Sequence, residues 1–94
     1  MLLGYVIGNV WATRKEDGLE KLKLLVIQPI DAKSKPIRNH FVAADRIGAG
    51  VGDKVLITNG SASRFILKEQ AIPVDAVVVG IVDSTEIERG GPYE

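Results

Sequence analysis

The 94-residue chain contains no cysteine, which excludes both a disulfide framework and a thiolate metal site. It has one histidine, His40, so an imidazole metal site has no second histidine or cysteine to work with, and Ser61 and Ser63 have no evident base beyond this residue, which lies far off in sequence. Net charge is missing as well. Twelve basic and twelve acidic residues cancel, leaving no overall field to collect phosphate backbones or anionic lipid. Aromatic residues number five and are scattered, whereas single-stranded nucleic acid is held by a basic groove carrying stacked rings. No apolar run approaches the roughly 20 residues of a membrane-spanning helix. The first residues, Met1-Leu2-Leu3-Gly4, carry no basic leader, so a cytoplasmic location is expected.

What the chain does have is apolar content, 46% of its residues, in a length that suits one domain. A chain this short buries a modest share of its surface, so association would add useful stability. The expected layout is a single β-barrel domain over 1–83 followed by a tail or arm over 84–94, where charge mixes with Gly90-Gly91-Pro92.

Period-two ordering marks the first strand. From Leu2 to Ala12 one parity holds Leu3, Tyr5, Ile7, Asn9 and Trp11, and the other holds Leu2, Gly4, Val6, Gly8, Val10 and Ala12. Bulky residues on one face and small ones on the other read as a strand. Gly4 and Gly8 suggest bending or close approach of a neighbouring backbone, as at barrel corners. Leu22 to Ile30 is predicted as a second strand, stopped by Pro29 near its end. A polar connection, Asp31 to Pro36, leads to a third predicted strand, Ile37 to Ala44, that contains His40. Val55 to Thr58 and Ala76 to Asp83 complete five strands, the last with three consecutive valines that disfavour helix. Ser61 to Lys68 has room for one or two helical turns capped by Asn59 or Ser61. Five short strands with little helix suggest an all-β, closed or nearly closed small barrel of OB-like topology with one short helix.

The stretch around which the rest is arranged is Asp45 to Arg64. Gly48, Gly50 and Gly52 alternate with small apolar residues. That spacing suits a backbone taking φ angles closed to other residues, or lying against another backbone. A short apolar strand and an Asn59-Gly60 turn follow. A dinucleotide fingerprint needs such glycines to open a helix, and a Walker loop needs Gly-Lys-Ser/Thr. Here the glycines open a strand, so neither pattern is met. Asp45, Asp53, Asp75 and Asp83 fall at predicted strand ends, where Asp commonly caps turns. No catalytic constellation, cofactor site or metal site is expected.

The Gly48-Ala49-Gly50-Val51-Gly52-Asp53 loop, the Val55-Leu56 strand and the Gly60-Ser61-Ala62-Ser63-Arg64 segment resemble the signature of the EutN/CcmL family, the vertex proteins of bacterial microcompartments. Further matches are Gly4-x-Val6-x-Gly8, Ala12-Thr13-x-Lys15, Lys23-Leu24-Leu25, Pro73-Val74-Asp75-Ala76 and Gly80-Ile81-Val82-Asp83. They cover nearly the whole chain in the family's order. The chain departs from the pattern in placing Ala62 before Ser63, where the usual run is closer to Gly-Ser-Ser-Ala-Arg, and in its tail after Asp83.

The resemblance implies a structural protein that forms cyclic pentamers, meets hexameric shell proteins, and closes the corners of a shell in the bacterial cytoplasm. It implies no enzyme activity, no cofactor, no nucleic acid and no membrane. On this reading Asp45, Gly48, Ala49, Gly50, Gly52, Asp53, Gly60, Ser61, Ser63 and Arg64 are expected at a subunit interface or an axial loop. Arg64 is expected to pair with a carboxylate such as Asp45 or Asp53, or with carbonyl oxygens, of its own or an adjacent subunit. The alternative is turn geometry inside one subunit. A monomeric OB-like oligonucleotide-binding module is the competing function, since one fold serves many functions.

Overall fold

The computed structural model describes residues 1–11, 22–59 and 75–83. Five strands appear: β1 (Leu2–Asn9), β2 (Lys23–Ile30), β3 (Phe41–Asp45), β4 (Lys54–Asn59) and β5 (Ala76–Ile81). They close into a barrel in the order β1-β2-β3-β5-β4, which leaves no open edge. Neighbours are antiparallel except β3 and β5, which run parallel with Ala44 opposite Val77. This is the five-stranded all-β barrel that the alternation predicts. The helical turns expected over 61–68 lie outside the described residues.

Closure needs strong bending, and two irregularities supply it. In β1, Val6 pairs with Ile27 and Gly8 with Val26, so Ile7 is an extra residue. In β5, Gly80 pairs with Leu56 and Val78 with Ile57, so Val79 is extra. Each β-bulge increases local twist where the wall must turn.

The small parity of β1 is the buried one. Gly4 and Val6 face inward, whereas Ile7 is 44% exposed and Trp11, beyond the strand's end, is 89% exposed. The reason is space inside a narrow barrel. A Cβ on Gly4 would collide with Cγ2 of Ile27 and sit 3.0 Å from the Gln28 carbonyl oxygen. The core that forms inside comprises Val6, Leu25, Ile27, Ala43, Ala49, Val55, Ile57, Ala76 and Val78, with Leu2 and Phe41 packed against it. A second buried cluster, Leu22, Ala44 and Val77 with Leu24 and Val79, takes the opposite parity of β2, β3 and β5. That part of the wall is therefore apolar on both faces, as parallel pairing usually requires.

Three strand limits fall short of the sequence reading. β3 starts at Phe41, not Ile37. Residues 37–40 are tied to the end of β2 by isolated bonds, Ile37 N–H to the Pro29 carbonyl at 3.2 Å and Gln28 Nε2 to the Arg38 carbonyl at 3.1 Å. With no continuous ladder there, their side chains, His40 included, remain exposed. β1 ends at Asn9 instead of Ala12, though Val10 still donates its N–H to the Leu24 carbonyl at 3.0 Å. β5 likewise stops at Ile81, before Asp83, with Val82 N–H reaching the Lys54 carbonyl at 2.8 Å.

The barrel has two distinct poles. At one lie the end of β3, the start of β4 and the glycine loop between them. At the other lie the β2–β3 connection and the start of β5.

Candidate functional site

The glycine loop is shaped by two carboxylates from inside the chain. Asp45, the last residue of β3, is 4% exposed. Its Oδ1 accepts the Ile47 amide at 3.2 Å, and its Oδ2 accepts the amides of Gly48 at 3.1 Å and Ala49 at 2.8 Å. Asp53 Oδ2 accepts the next amide, Gly50, at 2.8 Å. Four consecutive backbone donors are thus satisfied by two side chains.

The remaining bonds fix the loop to the barrel. Gly52 N–H donates to the Val6 carbonyl at 2.8 Å, and Val6 N–H to the Asp53 carbonyl at 3.0 Å. Lys23 lies opposite Asp45 across β2 and β3; its Nζ donates to the Ala49 carbonyl at 2.5 Å. Ala49 is fully buried and joins the core. Lys23 enters the sequence reading only within the Lys23-Leu24-Leu25 match, and its place over the loop comes from strand register. Register likewise places Lys54, paired with Tyr5, so that its Nζ sits 5.8 Å from the ring centroid.

The three glycines have different reasons to be glycine. Gly48 and Gly52 adopt φ of +89° and +96°, which side-chain-bearing residues rarely adopt. Gly50 is not among the positive-φ residues, and a Cβ there would meet nothing within 4 Å. Within one protomer, then, turn geometry accounts for Gly48 and Gly52 and leaves Gly50 unexplained.

Gly60, Ser61, Ser63 and Arg64 lie outside the described residues. Asn59, the described residue before them, ends β4 and pairs with Ala76 at the start of β5. That is the pole opposite the glycine loop, one strand or roughly 20 Å away. The barrel therefore groups Asp45, Gly48, Ala49, Gly50, Gly52 and Asp53, while β4 ends with Asn59 at the other pole.

The chemistry of this loop follows from its bonding. An anion nest needs free amides, and those of residues 47–50 are already taken by Asp45 and Asp53. Among the described residues no group of three or more His, Cys, Asp or Glu gathers. Nor does the outer face of β2 and β3, where an OB-fold reads oligonucleotides, carry a stacking platform. Its side chains are Leu24, Val26, Gln28, Val42 and Ala44. Instead, the glycine-loop pole shows apolar groups to solvent: Ile47 is 49%, Val51 61% and Ile81 45% exposed. Exposed apolar side chains at one pole are the kind of surface that a second subunit can cover.

Comparison with known proteins gives the same direction. The family model described as ethanolamine utilisation protein EutN/carboxysome matches residues 1–83. The carboxysome shell vertex protein CcmL of Gloeobacter violaceus is 40% identical over 99% of this chain and 93% of its own length. The microcompartment shell vertex protein EutN of Salmonella typhimurium is 42% identical over 97% of this chain and 90% of its own length. Among solved structures, the GrpN pentameric microcompartment shell protein from Rhodospirillum rubrum superposes with a TM-score of 0.83. It is 40% identical, and the match covers 94% of this chain and all of that one. The chain belongs to the EutN/CcmL family.

Proposed function

We propose that this chain is a structural shell protein that assembles into a cyclic pentamer and closes the vertices of a microcompartment in the bacterial cytoplasm. The observation that carries this reading is the near-complete alignment with shell vertex proteins, one solved relative being named a pentameric shell protein. The role is geometrical and calls for no reaction step. Sixfold tiles extend as a flat layer, and fivefold units are needed wherever the layer closes on itself. The flanking tiles would be hexameric shell proteins.

A ring of five copies uses heterologous contacts, in which two unlike patches meet at each boundary. The two poles of this barrel are unlike. The Asp45–Asp53 loop presents apolar Ile47 and Val51, and the opposite pole presents the charged β2–β3 connection. We assign Gly50 to the interface, since no feature within the protomer requires a glycine there. A position shared by the glycine loop and the Gly60–Arg64 segment would be assembled from adjacent subunits. An Arg64 contact with Asp45, Asp53 or loop carbonyl oxygens of its own or an adjacent subunit belongs to the same reading.

Native mass spectrometry at two ionic strengths tests the reading. A dominant pentamer is expected, and a monomer at every concentration would overturn it. Shells produced without this protein are expected to be open or elongated; closed shells of normal shape would refute the vertex role.

A further inference from the structure

We propose that the tail, residues 84–94, docks on the β2–β3 connection of the next protomer in the ring. The proposal rests on the pentameric reading above and adds to it a specific contact between neighbours.

The receiving surface is a preformed ledge. Asp31 Oδ1 accepts the amides of Lys33 at 2.8 Å and Lys35 at 3.0 Å. The Asp31 amide donates back to the Lys35 carbonyl at 2.8 Å, and the Ser34 amide to the Asp31 carbonyl at 2.9 Å. Ser34 completes the turn with a φ of 67°. Asp31 is the only acid between β2 and β3, and its carboxylate is committed to these amides. What the ledge presents outward is Lys33, Lys35, Arg38 and His40, all exposed. Because the backbone is already fixed, a partner need not order it on binding.

Beside the ledge lies an open cleft of about 470 Å³. Leu2, Phe41 and Val42 give it apolar lining, while Arg38 and Asp75 both reach its rim. Ile37 next to it is 48% exposed. The surface therefore offers cations around an apolar depression, with Asp75 as the one opposing charge among its described lining residues.

The tail has the complementary composition. It carries Glu86, Glu88 and Glu94 against a single Arg89, with Ile87 and Tyr93 as its large apolar groups. In an extended segment, Glu86 and Glu88 point to one side and Ile87 to the other. Such a strip can seat Ile87 in the cleft while its carboxylates face Lys33, Lys35 and Arg38.

Chain direction supplies the reason for choosing a neighbour. β5 begins beside the cleft at Ala76 and ends at Ile81, whose register partner is Val55 near the glycine loop. β5 thus ends at the pole opposite the ledge of its own chain. Eleven residues reach at most about 40 Å when extended, enough to cross a subunit boundary. A heterologous ring joins unlike patches, and an acidic tail at one pole and a basic ledge at the other form such a pair.

The absence of cysteine makes the test direct. Full-length protein carrying both Lys35→Cys and Glu88→Cys is treated with a short bismaleimide, with each single variant in parallel, and ring formation is checked by native mass spectrometry. The expected result is a covalent ladder extending beyond the dimer for the double variant, and nothing larger than a dimer for either single variant. Arg38→Glu in the double-cysteine background is expected to slow cross-linking roughly two- to fivefold, the range of an exposed ion pair, and Glu86→Arg to restore it. An intramolecular product alone would overturn docking between neighbours. An intact pentamer without cross-links would overturn the contact and leave the pentamer standing. A monomer by native mass spectrometry would remove the pentameric reading and the contact with it.

Discussion

Asp45 and Asp53 hold the glycine loop from its two ends, Oδ2 of Asp45 taking the Ala49 amide and Oδ2 of Asp53 the adjacent Gly50 amide, each at 2.8 Å. Between them the polypeptide reverses direction from β3 into β4 without leaving the amides of residues 47–50 unbonded. The same bonds explain why a glycine-rich run does not form a phosphate cradle here. Its donors are turned toward the protein's own carboxylates.

Removing Asp45 should therefore destabilise the fold. Asp45→Ala leaves the buried Ala49 amide without its acceptor, while the amides of exposed Ile47 and Gly48 can turn to water, and a buried unpaired donor costs about 1–3 kcal/mol. A loss of about 1–3 kcal/mol is expected by urea denaturation. Asp45→Asn, which keeps one acceptor oxygen, should lose less; equal stability for Asp45→Ala and the parent protein would disprove the clamp.

Gly50 separates folding from assembly. A side chain there meets nothing within 4 Å in its own chain, so Gly50→Leu should give a normal circular dichroism spectrum while abolishing the pentamer. Persistence of the pentamer would show that Gly50 is not at the interface. Gly52→Leu is the contrast, since a φ of +96° strains the protomer itself.

Gly4 should behave in the opposite way. Gly4→Ala places a methyl group against Ile27 and the Gln28 carbonyl, and overpacking of this kind costs about 1–3 kcal/mol. The expected outcome is a lower urea midpoint with an unchanged slope. An unchanged midpoint would show that the barrel wall yields freely at this point.

Acid should loosen the β2–β3 turn. Backbone hydrogen bonding, chiefly from Lys35, holds the Asp31 carboxyl below its ordinary value of 3.8. A depressed carboxylate stabilises the folded form fully above its unfolded value and loses that contribution as pH falls through the folded one. The amides of Lys33 and Lys35 should therefore shift together in NMR spectra below pH 3.8, with no such step between pH ~5 and ~8. A titration step in that neutral range would contradict the assigned bonds.

Much of this protein is legible in its residue order. The alternation in 2–9 and the valine run at 77–79 mark strands because side chains of a strand point alternately to its two sides. Gly48 and Gly52 announce a turn, since only glycine adopts their φ freely. The family motifs from Gly4 to Asp83 carried the functional expectation. Which parity of β1 faces inward was decided only on closure, when the narrow interior accepted Gly4 and Val6 and turned Ile7 outward. Register alone brought Lys23 over Ala49 and Lys54 beside Tyr5, since both relationships join residues far apart in sequence. Isolated bonds at Ile37 and Arg38, where a ladder was expected, shortened β3 and left His40 exposed. Local sequence determined elements and turns through backbone and side-chain preferences; tertiary structure decided faces, poles and partners, because these depend on how five strands fit around one small interior.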